Sequence, residues 1–339
     1  MTAQPNMDKL VTIFGGSGFL GRHVVRALAK RHYRIRIAVR RPELAGYLQP
    51  LGRVGQIHAV QANVRHNGSV MAAVRDADVV INLVGILFER GRQRFLTVQG
   101  QGAETVALAA SQQRARMVHV SAIGADQAST SLYARSKAFG EWAVLTAVPS
   151  ATIFRPSILF GPDDDFFNKF ASLARFSPFL PLVGGGRTRF QPVFAGDVAE
   201  AIARAVDGVS KPGTVYELGG PEVLTFRQLM EFVLATVERR RLLIPIPFAI
   251  AKLQAVVLQL LPKPLLTPDQ VELLKRDNVV PAEAAHEGRT LQGLGIEPQA
   301  IAAVVPSYLW RFRKTGQFRD RWRRDDTLQR EQIDAARHS

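Results

Sequence analysis

Short apolar runs alternate with longer amphipathic stretches through the first half of the chain. The runs have strand character because they are rich in β-branched residues, and the stretches between them space apolar residues as a helix does. The predicted strands are Val11–Phe14, Arg34–Val39, Ile57–Gln61, Val79–Leu83, Met117–Val120 and Thr152–Arg155, and the predicted helices include Ala103–Gln113 and Leu132–Leu145. This alternation predicts right-handed βαβ units, and hence an α/β fold around a doubly wound parallel sheet.

The regular alternation ends after Pro156, where proline and glycine become frequent. A strand-like run over Val215–Leu218 and helical runs over Thr225–Arg239 and Pro247–Leu261 follow, and we expect these later segments to build a smaller α/β lobe. The expected domain bounds are 8–220 for the sheet domain, with 157–191 contributing to the second lobe, 221–306 for the smaller C-terminal lobe and 307–339 for a tail.

A glycine-rich turn joins the first predicted strand to the first predicted helix. Its glycines have the spacing G-x-x-G-x-x-G, which in this context permits a tight turn, close approach of a pyrophosphate and close packing of helix on strand. The phosphates would face the helix N-terminus. We therefore expect a Rossmann-type dinucleotide site whose contacts in the turn are Gly15, Ser17, Gly18, Phe19, Leu20 and Gly21.

Two arginines close the second predicted strand. Arg40 stands nineteen residues beyond Gly21, where an acidic residue would bind the ribose 2′-hydroxyl of NAD. The guanidinium groups of Arg40 and Arg41 would instead clamp a 2′-phosphate through paired N–H donors. We therefore expect NADP(H) in preference to NAD(H). The alternative is that both arginines only form a solvated strand end.

Further candidate contacts follow the third and fourth predicted strands. Asn63 is placed to reach the adenine, and Asn82, Val84 and Gly85 lie along the expected path of the nicotinamide half. For single polar residues such as Asn63 and Asn82, local hydrogen bonding is the more ordinary role.

A Tyr–Lys pair occurs on the helix that follows the fifth predicted strand. The four-residue spacing puts Tyr133 and Lys137 on one helical face. A free tyrosine has a pKa of about 10, and a nearby ammonium would lower it, which would make Tyr133 a general acid or base. Ser121, at the end of the fifth strand, is a candidate to bind a substrate oxygen, or else a structural cap.

The amino-acid composition and the net charge restrict which kinds of site and which partners are expected. The chain of 339 residues has no cysteine, which excludes disulfides, thiolate metal sites and cysteine nucleophiles. Its seven histidines show no metal-ligand spacing, so no metal is expected. The net charge of +15 favours acidic partners, but no nucleic-acid-binding module is recognisable. We expect no nucleic-acid partner.

Two segments suggest a membrane or a protein surface. Leu242–Leu266 is strongly apolar, but prolines and polar residues interrupt it, so a buried or partner-facing helix over Pro247–Leu261 is expected rather than a span. The tail over Tyr308–Arg324 interleaves aromatic with basic residues, as a segment does that contacts anionic lipid. Docking on an acidic protein face and packing on the body are the alternatives. No basic-then-apolar leader is seen, and a cytoplasmic location is expected, peripheral on the cytoplasmic face of the inner membrane.

Several of these features together resemble one protein superfamily. They are Gly15, Gly18 and Gly21, the pair Tyr133 and Lys137, Arg155-Pro156, Phe160-Gly161-Pro162, Asp197-Val198-Ala199 and Gly219-Gly220-Pro221. The set resembles the extended and atypical short-chain dehydrogenases/reductases. The runs from Tyr133 to Glu141, Arg155 to Phe176 and Gln191 to Ile202 are similar to one branch, the NADPH-binding accessory subunit of respiratory complex I (NADH:ubiquinone oxidoreductase) and its bacterial relatives.

The resemblance carries its own expectations. It implies that NADPH is held tightly and serves structure or regulation, and that the protein docks on the peripheral-arm subunits of complex I. It also implies that Arg155 and Pro156 lie beside the nicotinamide, and that Asp197 anchors the crossover back to the sheet. Active extended members usually have serine or threonine one or two places after Ser121, where this chain has Ala122 and Ile123. Two functions remain open: an accessory or assembly protein, or a working NADP-dependent reductase, dehydrogenase or epimerase.

Overall fold

The computed structural model describes residues 6–262 and 264–314. Its strands are β1 (Leu10–Phe14), β2 (Arg34–Val39), β3 (Ile57–Gln61), β4 (Val79–Asn82), β5 (Arg116–Val120), β6 (Thr152–Pro156), β7 (Leu159–Phe160), β8 (Phe179–Val183), β9 (Arg189–Phe190), β10 (Val193–Phe194), β11 (Val215–Leu218), β12 (Leu224–Thr225) and β13 (Leu242–Ile246).

The helices of the same residues surround these strands. They are α1 (Phe19–Lys30), α2 (Asn67–Val74), α3 (Gln101–Gln112), α4 (Leu132–Ala147), α5 (Phe167–Phe176), α6 (Ala195–Asp207), α7 (Phe226–Thr236), α8 (Phe248–Leu258), α9 (Pro268–Leu273), α10 (Ala282–His286), α11 (Ile301–Val304) and α12 (Pro306–Leu309).

Seven parallel strands form the central sheet in the order β11-β6-β5-β4-β1-β2-β3. The chain runs outward from β1 to β3 and then returns to β4 on the other side of β1, so the order reverses there. This is the doubly wound arrangement that the alternation of strands and helices predicts, and the α/β prediction is confirmed. Ligands of such sheets bind beyond the carboxyl ends of the strands, near the reversal.

Both faces of the sheet are covered by helices. On one face, α1 and α6 pack on apolar residues of β1 and β2 such as Ile13 and Ile37. On the other face, α2, α3 and α4 pack on residues such as Phe14 and Val80. The central strands β1 and β4 are buried along their whole length and their sequences are nearly continuously apolar, whereas β2 alternates arginine with apolar residues.

One later segment belongs elsewhere than expected. The run Val215–Leu218 is grouped above with the segments of the smaller lobe, although the expected bounds of 8–220 include it in the sheet domain; it pairs in parallel with β6 and forms the edge of the central sheet. Burial explains the difference, because Tyr216 and Leu218 join the core beneath α6. A four-residue apolar strand carries no local signal for the sheet that it joins.

The smaller lobe has its own core, made mainly from α5, α7 and the last described helices. Asp164, at the start of α5, accepts a hydrogen bond from the Gly161 N–H at 3.1 Å and another from the Tyr308 hydroxyl. Asp197, in the first turn of α6, accepts from the Gln299 N–H at 2.8 Å. Both carboxylates therefore anchor the C-terminal part of the described chain.

The aromatic tail is described only in part. Tyr308, Leu309 and Phe312 are buried in the smaller-lobe core, so this portion packs on the body, which was one of the alternatives. The basic residues from 315 onward lie outside the described residues. Among residues 6–262 and 264–314, no helix combines the length and apolarity needed to cross a bilayer.

Candidate functional site

Three glycines shape the turn between β1 and α1. Gly15 has a φ of +80°, in the left-handed region that favours glycine, and a Cβ on it would lie 3.2 Å from the Leu83 carbonyl carbon. A Cβ on Gly21 would lie 2.4 Å from the Gly15 oxygen. Gly18 donates its N–H to the same oxygen at 3.0 Å. The turn therefore presents backbone at the carboxyl edge of the sheet.

The N-terminus of α1 faces this turn. Gly18 occupies the N-cap position and supplies no side chain to cap the helix, and the first turn contains no acidic residue. Because a helix N-terminus carries partial positive charge, this one is complementary to phosphate. Leu20 packs its side chain into the core, so only its backbone can meet a cofactor.

Two contacts link the glycine turn to other segments. The Tyr47 hydroxyl donates to the Ser17 carbonyl at 2.7 Å. The Phe19 ring packs edge-on against His23, with centroids 5.7 Å apart, and it lies within 3.1 Å of where a Cβ on Gly161 would be. The turn thus touches the segment after β2 and the loop after β7.

Arg40 and Arg41 follow β2 directly. Both are exposed, and within the described residues neither forms a salt bridge. They precede a 3-10 segment over Pro42–Leu51, and Tyr47 of that segment holds it against Ser17. The backbone at Arg40 and Arg41 therefore leads directly into a segment that contacts the glycine turn. Contact of their guanidinium groups with a 2′-phosphate stays a prediction.

The two asparagines make local hydrogen bonds. Asn63 accepts from the Arg65 N–H at 3.2 Å, and its own N–H donates to Ser69 Oγ at 3.1 Å. Asn82 accepts from the Val84 N–H at 3.1 Å. These bonds shape the turns after β3 and β4, which is the local hydrogen-bonding role that is ordinary for single polar residues. A contact of Asn63 with adenine stays a prediction.

Gly85 lies close to the Tyr–Lys helix. A Cβ on Gly85 would lie 3.5 Å from Lys137 Nζ and 3.6 Å from Gln99 Oε1. Gln99 is 1% exposed, accepts from the Ile86 N–H at 3.2 Å and donates to Ser136 Oγ at 2.8 Å. It thereby ties the loop after β4 to α4. Sequence reasoning missed it, because a single glutamine carries no signal.

Tyr133 and Lys137 lie on one face of α4, as their spacing predicts. Lys137 Nζ is 6.0 Å from the centroid of the Tyr133 ring and donates to the Val120 carbonyl at 3.1 Å. Burial lowers the pKa of Lys137 to about 8, and the Glu141 carboxylate acts in the opposite direction. The pair is therefore assembled next to the end of β5.

The prediction that Lys137 lowers the pKa of Tyr133 is wrong for this structure. Burial of the phenol, and then the Asp269 carboxylate, raise the pKa of Tyr133 to about 12. Both effects oppose the phenolate. The ammonium sits 6.0 Å from the ring centroid and gives its hydrogen bond to backbone. This arrangement does not favour the phenolate form of Tyr133 near neutral pH.

Asp269 caps the helix that carries the pair, and sequence reasoning missed it. Its carboxylate accepts from Ser131 Oγ at 2.8 Å, from the Leu132 N–H at 2.6 Å and from the Tyr133 N–H at 3.4 Å. Ser131 is itself the N-cap of α4. Asp269 belongs to α9, and 138 positions separate it from Ser131. The smaller lobe therefore stabilises the N-terminus of α4.

Ser121 follows β5 and is 4% exposed. Its hydroxyl has no hydrogen-bond partner among the described residues, so the capping role is not seen there. A buried hydroxyl in this state is destabilising unless a ligand meets it. His119, two residues earlier, contacts Asn82 at 3.3 Å, and burial lowers its pKa to about 3, so its ring is neutral.

Arg155 is held between two carboxylates. Its guanidinium binds Glu141 on α4 at 2.6 Å and Glu217 on β11 at 2.9 Å. The hydrogen bonds that Arg155 donates to Glu141 are the largest cause that raises the pKa of Arg155. Pro156 ends β6, and its carbonyl accepts from the Ile123 N–H at 3.1 Å. Contact of Arg155 and Pro156 with a nicotinamide stays a prediction.

The carboxyl edge of the sheet fits a dinucleotide. Glycines line the turn where side chains would obstruct it, an uncapped helix N-terminus suits the phosphates, and the buried Lys137 is within reach of groups bound beside Gly85. When bound, a nicotinamide dinucleotide supplies a hydride donor or acceptor. The residues described here would hold and orient it.

A family comparison agrees with this site. Residues 11–219 match the NAD dependent epimerase/dehydratase family. The matched span runs from β1 to β11, and so it contains every strand of the central sheet, the glycine turn and the Tyr–Lys pair.

Curated relatives cover most of the chain. The NADH dehydrogenase [ubiquinone] 1 alpha subcomplex subunit 9 of Arabidopsis thaliana is 35% identical over 320 residues, which are 91% of this chain and 79% of the relative. The NADH-ubiquinone oxidoreductase 40 kDa subunit of Neurospora crassa is 31% identical over 309 residues, 91% of this chain and 80% of the relative. A ceramide reductase of Caulobacter vibrioides is 37% identical over 174 residues, 51% of this chain and 54% of the relative.

A solved structure shares the fold. The NADPH-dependent quinone oxidoreductase QOR2 of Escherichia coli, complexed with NADPH, superposes with a TM-score of 0.70 at 19% identity, covering 88% of this chain and 99% of that one. The chain therefore belongs to the NAD dependent epimerase/dehydratase family of short-chain dehydrogenases/reductases, in the branch that includes these complex I subunits.

Proposed function

We propose that this protein is an NADP(H)-holding accessory or assembly protein of respiratory complex I. The observation that carries the proposal is a glycine turn suited to a dinucleotide, in a chain of which 91% matches proteins named as complex I subunits. The complex I names of relatives that match 91% of the chain support the partner.

The preference for NADP(H) is part of the proposal. Arg40 and Arg41 are exposed at the end of β2, where NAD-selective members of such folds have an acidic residue. Tyr47 keeps this segment against the glycine turn. A 2′-phosphate bound there would gain charge-assisted hydrogen bonds from guanidinium groups.

The expected partners are peripheral-arm subunits of complex I, at the face of the membrane on which that arm lies. For a bacterial chain this is the cytoplasmic face of the inner membrane. The net charge of +15 suits acidic protein surfaces and anionic lipid alike.

Affinity purification from detergent-solubilised membranes tests the partner. We expect the tagged chain to recover complex I subunits, and a variant that cannot bind nucleotide to recover fewer. The control is the same affinity purification from cells that lack the peripheral arm of complex I. Recovery of the chain alone, from membranes that contain assembling complex I, would contradict the proposal.

A second function is an active NADP-dependent reductase, dehydrogenase or epimerase. It is favoured by the Ser121 hydroxyl, which has no protein partner among the described residues, and by the Tyr133 and Lys137 pair on one helix face. The partial match to a relative named ceramide reductase points the same way. In this function Tyr133 would protonate a carbonyl while Lys137 binds the ribose.

The rate of hydride transfer with panels of carbonyl, quinone and sugar-nucleotide substrates tests this second function. Tyr133→Phe is expected to abolish any enzymatic rate.

A further inference from the structure

The outward face of α8 is apolar. Its buried residues are Ala251 and Ala255, whose small side chains let the helix lie close to the body. The side chains that point outward, together with those of the segment that follows, are 44 to 82% exposed. We call this set the α8 surface: Ile250, Leu253, Val256, Val257, Leu260, Leu261 and Leu265.

The α8 surface differs from the faces of other helices. α1 and α6 bury their apolar stripes against the sheet, as amphipathic helices of globular proteins do. In α8 the two buried residues are alanines, and larger apolar residues such as Leu253 face outward at 72% exposure. Exposed apolar patches of this kind mark sites of association with a partner or a membrane.

The charges around the α8 surface favour one kind of occupant. The sequence from 239 to 266 contains no acidic residue, and its basic residues are Arg239, Arg240, Arg241, Lys252 and Lys263. Two further basic side chains reach this segment from elsewhere, because Arg90 donates to the Pro262 carbonyl at 3.1 Å and Lys169 donates to the Leu265 carbonyl.

Two acidic side chains face the basic groups named above: Asp165 interacts electrostatically with Lys169, and Glu272 forms ion pairs. Glu272 on α9 is 2.8 Å from Lys252 and 2.8 Å from Lys275. An apolar face bordered by basic side chains is the composition of helices that lie in the plane of an anionic lipid surface.

We propose that the α8 surface seats this protein on an anionic lipid bilayer, with α8 parallel to the membrane plane. Its eleven residues span about 16 Å, too short to cross the hydrocarbon region. The apolar side chains enter the boundary between headgroups and acyl chains, and the basic excess of residues 239–266 favours anionic headgroups. This inference rests on the proposed location beside the membrane arm, and it names the surface that makes the contact.

Vesicle flotation of the purified full chain tests the proposal. One set of vesicles contains phosphatidylcholine alone, and the other contains equimolar phosphatidylcholine and phosphatidylglycerol. We expect binding to the anionic vesicles, and a loss of at least about tenfold in the partition coefficient for the triple variant Leu253→Gln, Val257→Gln, Leu260→Gln, since each buried leucine or valine contributes more than 1 kcal/mol.

The control replaces exposed apolar residues elsewhere, each of them less exposed than the three residues of the test variant. The triple variant Leu108→Gln, Val209→Gln, Val223→Gln changes side chains that are 48 to 58% exposed, and it should bind as the parent chain does. A second control variant carries Phe318→Gln and Trp322→Gln together, and so changes the aromatic tail. If only the tail variant loses binding, the tail makes the contact and the proposal is overturned.

A single introduced cysteine gives a direct readout. The natural chain has no cysteine, so Leu253→Cys and Leu108→Cys each take a polarity-sensitive fluorophore at one position. We expect the label at 253, and not the one at 108, to shift to the blue and to be quenched by brominated lipid. No change at 253 in a chain that floats with vesicles would overturn the proposal.

These outcomes separate the surface from the proposed function. If the chain binds vesicles through the α8 surface but recovers no complex I subunits, the lipid proposal is supported and the proposed complex I partner is contradicted. Recovery of complex I subunits that depends on the α8 surface, without binding to vesicles, assigns the surface to protein and overturns the lipid proposal. A concentration-dependent dimer that the α8 variant abolishes, again without vesicle binding, assigns it to a second copy.

Discussion

The Lys137 ammonium lies 6.0 Å from the centroid of the Tyr133 ring. Two residues that short-chain reductases use for proton transfer are thus side by side, yet the pKa of Tyr133 is raised to about 12 and Lys137 gives its hydrogen bond to backbone. Binding machinery and catalytic machinery can therefore be tested separately in this chain.

The buried Lys137 makes stability depend on pH. Its pKa is lowered to about 8 in the folded chain from its ordinary value of 10.5, so the unfolded state binds the proton more tightly. Stability should therefore rise as pH increases from about 8 to 10, by roughly 1 to 3 kcal/mol. Chemical denaturation at several pH values measures it.

The control for this prediction is Lys137→Met. Without the buried amine the rise between pH 8 and 10 should disappear, and stability at pH 7 should not fall by more than the lost hydrogen bond to Val120 explains, about 1 kcal/mol. An unchanged pH slope in Lys137→Met would show that another group titrates.

Gly21→Ala should damage both the fold and the site. The added Cβ would lie 2.4 Å from the Gly15 oxygen, so α1 must move away from the turn. We expect a destabilisation of about 2 kcal/mol or more and loss of nucleotide binding. Gly68→Ala is the matched control, because a Cβ there meets nothing within 4 Å. Calorimetry with and without NADPH distinguishes the two variants, and equal behaviour would contradict the account of the turn.

Arg40→Asp should change cofactor preference. The substitution places a carboxylate where the 2′-phosphate is expected, so NADPH affinity should fall by at least about a hundredfold while NADH affinity changes little. Lys211→Asp makes the same charge change at an exposed position of the loop before β11. Titration of both nucleotides is the measurement. Equal losses for NADPH and NADH would remove Arg40 from the phosphate site.

Asp269→Ala should loosen the start of α4. It removes the acceptor for Ser131 Oγ and for the Leu132 N–H, which should cost about 1 to 2 kcal/mol. It also removes a carboxylate that raises the pKa of Tyr133, so that pKa should fall. Ultraviolet titration, with Tyr133→Phe identifying the signal, measures the shift. Asp8→Ala, at an exposed aspartate, is the control.

The central sheet and the glycine turn could be predicted because their signals are local. The strands Arg34–Val39 and Ile57–Gln61 have the predicted bounds, since each is a short strand-like pattern limited by turn residues. The spacing of Tyr133 and Lys137 fixes a shared helix face for the same reason. Local patterns determine both.

Contacts between distant parts of the chain could not be predicted. Asp269 caps α4 across 136 positions from Tyr133, and Arg155 reaches Glu217 across 62. The direction of the Tyr133 pKa depends on burial and on Asp269, which no spacing reveals. The edge position of Val215–Leu218 likewise depends on which strand it meets after folding.

Mass spectrometry of the nucleotide released from the purified, unsupplemented protein tests the central claim most directly. The proposed holding function predicts close to one equivalent of NADPH or NADP+ per chain, retained through purification and retained equally by Tyr133→Phe. Release of NAD or NADH instead, or a chain that retains no nucleotide and binds NADPH only weakly when it is added, would contradict it.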